Sequence, residues 1–510
     1  MVAQSFAGAR SRLTRACGYS EYGDDALPAL VAHLPTGILV DGHWGSAAGG
    51  VTFEVTDPAT AEPIFDVSDA TPADAVRALD AAHAAAPAWR AVPPRERSEL
   101  LRAVFARLVA RTDDIAALIT AEAGKPLAEA RAEVVYGAEF LRWFAEQAVR
   151  ADGLVRTAPS GSNKQYVSRR PVGPSLLITP WNFPIAMATR KIAPALAAGC
   201  TVVIKPASLT PMTTLLVAEV IRSEAQVRGL PTGIVNVVPT SRSGPVTEPL
   251  FEDPRLRKVS FTGSTRVGQV LLAQAAKNVL RTSMELGGNA PFVVFEDADL
   301  DAAVEGALIA KLRNSGQSCV AANRFLVHDA VARTFGEKLA AAMGAKVTGP
   351  GNRPGTEVGP LIDEAAVDKV TGLVDDAVAH NSQVLTGGSR LDGPGHFFEP
   401  TVLTGVDADA RVVTEEIFGP VAPIVAFGSD DEAFELANGT PYGLAAYAYT
   451  TSLARAQRAM DEIEAGMIGI NRGLVSDASA PFGGVKASGL GREGGEAGME
   501  EYQETVYVAL

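Results

Sequence analysis

Ser175-Leu-Leu-Ile-Thr179, a helix-patterned run from Ile185 to Ala198 closed by Gly199, and Thr201-Val-Val-Ile-Lys205 decide the fold of this 510-residue chain. Short, wholly apolar strands suit a sheet buried on both faces, and a helix between two of them returns the chain for parallel pairing. The rhythm continues downstream. Pro211 to Ala225 reads as a helix with Thr210 as N-cap and Pro211 at its first position, where a missing N–H costs little. Gly233-Ile-Val-Asn-Val-Val238 and Lys258-Val-Ser-Phe261 read as further strands. A second series follows Glu285, with strands at 291–295, 324–327, 421–427, 445–450 and 467–471 and helices at 300–312, 331–343 and 452–465. Such alternation predicts an α/β protein with two parallel-sheet domains in tandem, binding ligands at the carboxyl ends of the strands.

Upstream, residues 73–88 and 94–150 carry helical spacing. Leu100, Leu101, Val104, Phe105 and Leu108 recur on one face after Arg95-Glu96-Arg97, with Pro94 in the first turn. The polar stretch 157–164 followed by Gln165-Tyr-Val-Ser-Arg-Arg170 suits a short strand pair outside the main core. No internal repeat or low-complexity tract interrupts the pattern.

Composition narrows the function. The chain is too long for one core, and 47% hydrophobic with 20% charged residues is an ordinary globular balance. A net charge of −14 argues against nucleic-acid binding, which needs a basic face. No run reaches ~18 apolar residues, so nothing is expected to span a bilayer. Three cysteines without a CxxC pair fit a reducing compartment, and six scattered histidines without HExxH argue against a bound catalytic metal. Arg10, Arg12 and Arg15 precede any acid, as in transit peptides. The same Ala/Arg/Gly bias runs throughout the chain, however, so residues 1–35 are read as an N-terminal extension of a cytoplasmic protein.

The chemistry gathers around Asn314-Ser-Gly-Gln-Ser-Cys319. An isolated cysteine is more often a small buried hydrophobe. Here it follows a helix among small polar residues, where a helix terminus or a neighbouring cation would lower its pKa and make it a nucleophile. Met284-Glu-Leu-Gly-Gly-Asn-Ala-Pro291 sets one carboxylate, Glu285, against a glycine pair, and Pro180-Trp-Asn-Phe-Pro184 lies further back. A carboxylate in an apolar, glycine-lined pocket would have a raised pKa suited to a general base. Together these blocks resemble the signatures of the aldehyde dehydrogenase superfamily, from about residue 36 to the C-terminus.

That resemblance implies a tandem architecture. Residues 36–150 and 171–284 would form a Rossmann-like dinucleotide-binding domain and 285–482 an α/β catalytic domain. Segments 151–170 and 483–510 would form a small β oligomerisation arm, giving a homodimer or homotetramer. The alternation Thr505, Val506, Tyr507, Val508 suits a strand that needs a partner. By the same resemblance, Cys319 attacks an aldehyde to give a thiohemiacetal whose oxyanion is held by the Asn182 amide and the Cys319 backbone N–H. Asn182 equally suits a turn between Trp181 and Phe183-Pro184. Hydride loss leaves a thioester, Glu285 activates the water that cleaves it, and Lys191 and Glu493 carry the proton away. Cys200 reads as core, and Cys17 falls in the extension.

No GxGxxG follows a strand; Phe261-Thr-Gly263-Ser264-Thr-Arg-Val-Gly268 stands at a strand-to-helix turn instead. Alone this is a structural glycine turn; the resemblance makes it a dinucleotide site, with Thr179, Pro180 and Trp181 beside it. Lys205 alone would cap a strand edge, and Glu415-Glu416 alone would be a solvated acidic pair. The resemblance sets Lys205 and Ser208 at the adenosine ribose, Glu416 on the nicotinamide ribose and Phe418 against the ring. A carboxylate at position 208 would repel a 2′-phosphate, whereas Ser208 beside Lys205 favours NADP, with NAD also possible.

Arg190, Arg313 and Ser476 resemble the residues with which the succinate-semialdehyde branch of the family holds the distal carboxylate, and two guanidiniums suit that anion. Each arginine alone would be a salt-bridge partner. Phe183 and Phe482 would wall the tunnel or serve as core. Glutarate semialdehyde, one methylene longer, remains an alternative substrate. A CoA-acylating relative would lack Glu285, and a silent binding protein would not retain Cys319, Glu285 and Asn182 together. Ala321 stands where many relatives carry a second cysteine, so no local disulfide switch is expected.

Overall fold

Five parallel strands run in the spatial order Val235–Val237, Val202–Lys205, Ser175–Ile178, Lys258–Thr262 and Arg281–Glu285. This computed structural model describes residues 34–150 and 152–510. The arginines at 10, 12 and 15, Cys17 and nearly all of the expected extension lie outside the described residues. Antiparallel edge strands complete an eight-stranded sheet: Ile38–Val40 with His43–Gly45 on one side, Gly489–Leu490 on the other.

A second sheet of seven strands has Ala290–Val294 beside Ala322–His328, with Val421–Phe427 and Thr401–Thr404 outward on one side and Ala445–Tyr449 and Met467–Ile470 on the other. These pair in parallel; only Gln383–Thr386 at the edge is antiparallel. The fold is that of α/β parallel-sheet domains, with a separate antiparallel sheet of Leu154–Thr157, Lys164–Pro171 and Gln503–Ala509.

Local sequence explains the pieces that carry the site. Every residue of the helix Pro184–Ala198 is buried, and Gly199 at φ 93° closes it in the left-handed region. One face of the Lys258–Thr262 and Arg281–Glu285 pair is apolar but for Thr282 (Val259, Phe261, Met284), while the other carries Lys258, Ser260, Thr262, Arg281, Ser283 and Glu285. Period-two alternation thus delivers Glu285 to a polar interior.

Two expectations need correction. The helical stretch 94–150 is three helices, Pro94–Val109, Thr112–Ala123 and Leu127–Ala148. Gly124 at φ 72° ends the second, and Pro126 forces the restart. Thr210 is not an N-cap. The helix begins at Met212, and the buried carboxylate of Glu122 accepts from the N–H groups of Met212 and Thr213 at 2.8 and 2.9 Å. The Thr210 hydroxyl donates instead to the Trp181 carbonyl at 3.1 Å.

Candidate active site

Three segments meet between the sheets. The Thr179–Phe183 turn leaves the end of Ser175–Ile178, Glu285 ends its own strand, and Cys319 follows the helix Leu300–Leu312 through the 3₁₀ turn Arg313–Gly316. Asn314 and Ser315 adopt left-handed φ values of 53° and 57°, which cost of order 1–3 kcal/mol each for non-glycine residues. Long-range bonds hold them. Glu129 accepts from the Asn314 N–H at 2.7 Å, and the Ser315 hydroxyl donates to the Gly359 carbonyl at 2.9 Å. The Asn314 amide donates to the Asn182 carbonyl at 3.0 Å, and the Asn182 amide donates to the Gln317 carbonyl at 3.1 Å. One of the two Asn182 amide hydrogens is therefore used, and Oδ1 has no partner.

A cavity of about 270 Å³ brings Pro180, Trp181, Asn182, Gly263, Ser264, Cys319, Glu416 and Phe418 onto one wall system. Ser264 caps the helix Thr265–Ala276, so that helix presents its N-terminus to the cavity. Glu416 accepts from the Gly288 N–H at 3.1 Å, and burial raises its pKa. Phe418, at φ 58°, packs edge-to-face on Trp181 with centroids 5.5 Å apart. Backbone N–H groups at a helix start, a carboxylate for ribose hydroxyls and an aromatic wall together fit a dinucleotide. Lys205 and Ser208 do not line this cavity. Lys205 ends the neighbouring strand, its carbonyl accepting from the Thr179 N–H at 3.2 Å, and burial pushes its amine down to about 8.

The thiol expectation is corrected: burial pushes Cys319 up to about 12, and the opposing pull of Arg190 does not outweigh it. Glu285 follows expectation. Burial, then the Glu493 charge, raises it well above the usual carboxylate range, and neither of its oxygens has a hydrogen-bond partner. Glu493 is buried too, but Lys191 and Arg190 outweigh that burial and hold it below the ordinary value. Arg190 Nε lies 2.5 Å from Glu493 Oε2. Lys191 donates to Glu493 and, at 3.0 Å, to Ser260.

The five substrate candidates also converge. The Arg190 guanidinium stacks 4.1 Å from the centroid of Phe482, and Arg313 lies 4.8 Å from that of Phe183 and 5.6 Å from that of Tyr136. Ser476 and Arg190 are polar neighbours of the Tyr136 hydroxyl. Sequence reading passed over Lys125, Glu129, Glu133 and Tyr136. Lys125 pairs with Glu133 and donates to the Asn182 carbonyl at 3.0 Å. The spacing 129, 133, 136 puts three polar groups on one helix face, which was the available signal.

A cysteine-bearing loop beside a cleft that fits a dinucleotide suits a nicotinamide-dependent oxidoreductase. The chain belongs to the aldehyde dehydrogenase family, which residues 44–508 match. It is 56% identical over 444 residues to succinate-semialdehyde dehydrogenase of Paenarthrobacter nicotinovorans, covering 87% of this chain and 98% of that one. It is 48% identical over 471 residues to glutarate-semialdehyde dehydrogenase of Pseudomonas putida, covering 92% and 97%. The crystal structure of an E. coli NADP-dependent enzyme superposes with a TM-score of 0.91 at 46% identity, over 94% and 98% of the two chains. The protein is thus an aldehyde dehydrogenase using NAD(P). Among the described residues no helix is long and apolar enough to cross a membrane, and no group of three His, Cys, Asp or Glu could hold a metal ion.

Proposed function

We propose that the protein oxidises succinate semialdehyde to succinate with NADP⁺, in the cytoplasm, as a homodimer or homotetramer. The observation that carries the substrate is the pair of guanidiniums, Arg190 and Arg313, stacked on the aromatic rings Phe482, Phe183 and Tyr136, with Ser476 beside Tyr136 and Arg190 within reach of the Cys319 charge. Buried cations of this kind favour a substrate with a distal anion.

Cys319 attacks the aldehyde carbon as the thiolate. Its high pKa means that the proton must be taken by a base, and Glu285, a buried carboxylate with no hydrogen-bond partner, is poised for that. The second N–H of the Asn182 amide and the Cys319 backbone N–H then hold the thiohemiacetal oxyanion. NADP⁺, when bound, supplies the hydride acceptor. Pro180, Trp181, Gly263, Ser264, Glu416 and Phe418 would hold it, with Thr179 at the strand end and Lys205 and Ser208 toward the adenosine ribose. Cys319 carries the resulting thioester, and Glu285 takes a proton from the water that cleaves it. The Glu493–Lys191–Ser260 cluster receives that proton next. Phe183 and Phe482 wall the pocket beneath the two arginines.

Glutarate semialdehyde is the second reading, favoured by the 48% identity to the Pseudomonas putida relative. One methylene is worth only about 1–3 kcal/mol of discrimination. Initial rates of NADP⁺ reduction with succinate semialdehyde, glutarate semialdehyde and butyraldehyde test the proposal. The expected order puts succinate semialdehyde first and butyraldehyde, which lacks the anion, far behind. Equal kcat/KM for all three would discard the carboxylate pocket.

A further inference from the structure

We infer that Tyr136 is a specificity-determining residue whose hydroxyl donates to the distal carboxylate of the aldehyde, between Arg190 and Arg313. The inference rests on the acid-semialdehyde reading above and adds a residue to it.

Arg190 is only partly available to a substrate. Its Nε faces Glu493 Oε2 at 2.5 Å, and Nη2 lies 3.1 Å from the Met187 sulfur. Nη1 is buried and without a partner, and Nε, close as it is to Glu493, makes no well-aligned hydrogen bond with it. A guanidinium grips a carboxylate through two parallel N–H bonds on one edge, and with the Nε side of Arg190 turned to Glu493 the Nη edge is the one left for a substrate. A carboxylate offers about four acceptor positions, so that grip leaves room for a further donor.

Tyr136 supplies it. Its hydroxyl is buried, makes no hydrogen bond of good geometry, and has Arg190 and Ser476 as polar neighbours. Arg190 and Arg313 both set a positive field on that oxygen. A buried hydroxyl left unpaired is unfavourable, and an arriving carboxylate oxygen would offset that. The helix pairing fixes its position. A Cβ on Gly137 would stand only 3.1 Å from the Ala186 nitrogen, so the glycine lets Leu127–Ala148 approach the helix Pro184–Ala198. Glu133 secures the approach by accepting from the Ile185 and Ala186 N–H groups at 3.1 and 3.4 Å. The Tyr136 ring is thereby pressed onto Phe183, Ala186 and Met187. The ring is a wall whatever the substrate, whereas the hydroxyl has a task only if the substrate is an anion.

Tyr136→Phe keeps the ring and removes the oxygen. With succinate semialdehyde, KM should rise roughly 10-fold or more, the scale of losing one hydrogen bond to a charged group, with kcat nearly unchanged. With butyraldehyde both constants should stay at their wild-type values, which also reports that the variant is folded. Arg190→Met should differ, lowering kcat as well as KM-limited rates for both aldehydes, because Glu493 loses a partner. An unchanged KM for succinate semialdehyde in Tyr136→Phe, or an equal rise for both aldehydes, would overturn the assignment while leaving the substrate reading intact. Wild-type enzyme indifferent between the two aldehydes would overturn both.

Discussion

At the scale of single residues, Lys205 and Ser208 are the pair proposed to favour NADP⁺. The Lys205 amine, depressed by burial to about 8, is charged below that pH and neutral above it. Its charge favours a 2′-phosphate carrying −1.5 to −2 charges. The KM for NADP⁺ should therefore rise as pH climbs through about 8, while that for NAD⁺ stays nearly flat. Parallel rises for the two cofactors would contradict this role. Cys319, half-buried, is shifted the other way. Its thiol is held up by desolvation that no motif announces, because the six-residue stretch around it says nothing of how deep it sits.

At the scale of elements, the helix Leu127–Ala148 is the brace of the site. Lys125, just before it, is tied to Glu133 and to the Asn182 carbonyl, while Glu129 holds the strained Asn314. Lys125→Met would strand a buried carboxylate, a change that costs about 3–5 kcal/mol when a buried pair is broken. It should lower Tm by several degrees and reduce kcat through a loosened Asn182. Glu133→Gln should cost less, since its amide oxygen still accepts from the Ile185 N–H. Thermal melts with unchanged midpoints in Lys125→Met would refute the brace. The strands around 175–205 and the helix after Pro184 were legible because apolar runs and glycine stops are local signals. The breaks within 94–150 and the cap at Met212 were not: the first carries one amphipathic pattern across three helices, and the second depends on Glu122, ninety residues away. Likewise Cys319, Glu285 and Asn182 could be read from their blocks, but Tyr136 acquires meaning only when Gly137 brings two helices together.

On the scale of the whole molecule, the chain crosses from one sheet to the other through Leu286-Gly287-Gly288-Asn289. A Cβ on Gly288 would stand 2.4 Å from the Cys319 carbonyl oxygen, so the crossover itself abuts the nucleophile loop. The antiparallel sheet stands apart, with Leu154, Val155, Tyr507 and Leu510 at 45, 63, 56 and 77% exposure. Such a surface suits pairing with a second copy. Light scattering should give a multiple of the 53.1 kDa chain mass, and a single-chain mass would refute the proposed assembly.

The division of labour between Cys319 and Glu285 is tested most directly by rapid mixing of Glu285→Gln with succinate semialdehyde and NADP⁺. If Cys319 forms the thioester and Glu285 activates the water that cleaves it, loss of the base should cut steady-state turnover by roughly 10²- to 10⁴-fold. The mixing trace should still show a burst approaching one NADPH per site, formed more slowly than in the wild type because Glu285 also takes the Cys319 proton. Full turnover in the variant, or a thioester that forms and hydrolyses at wild-type rates, would contradict the account.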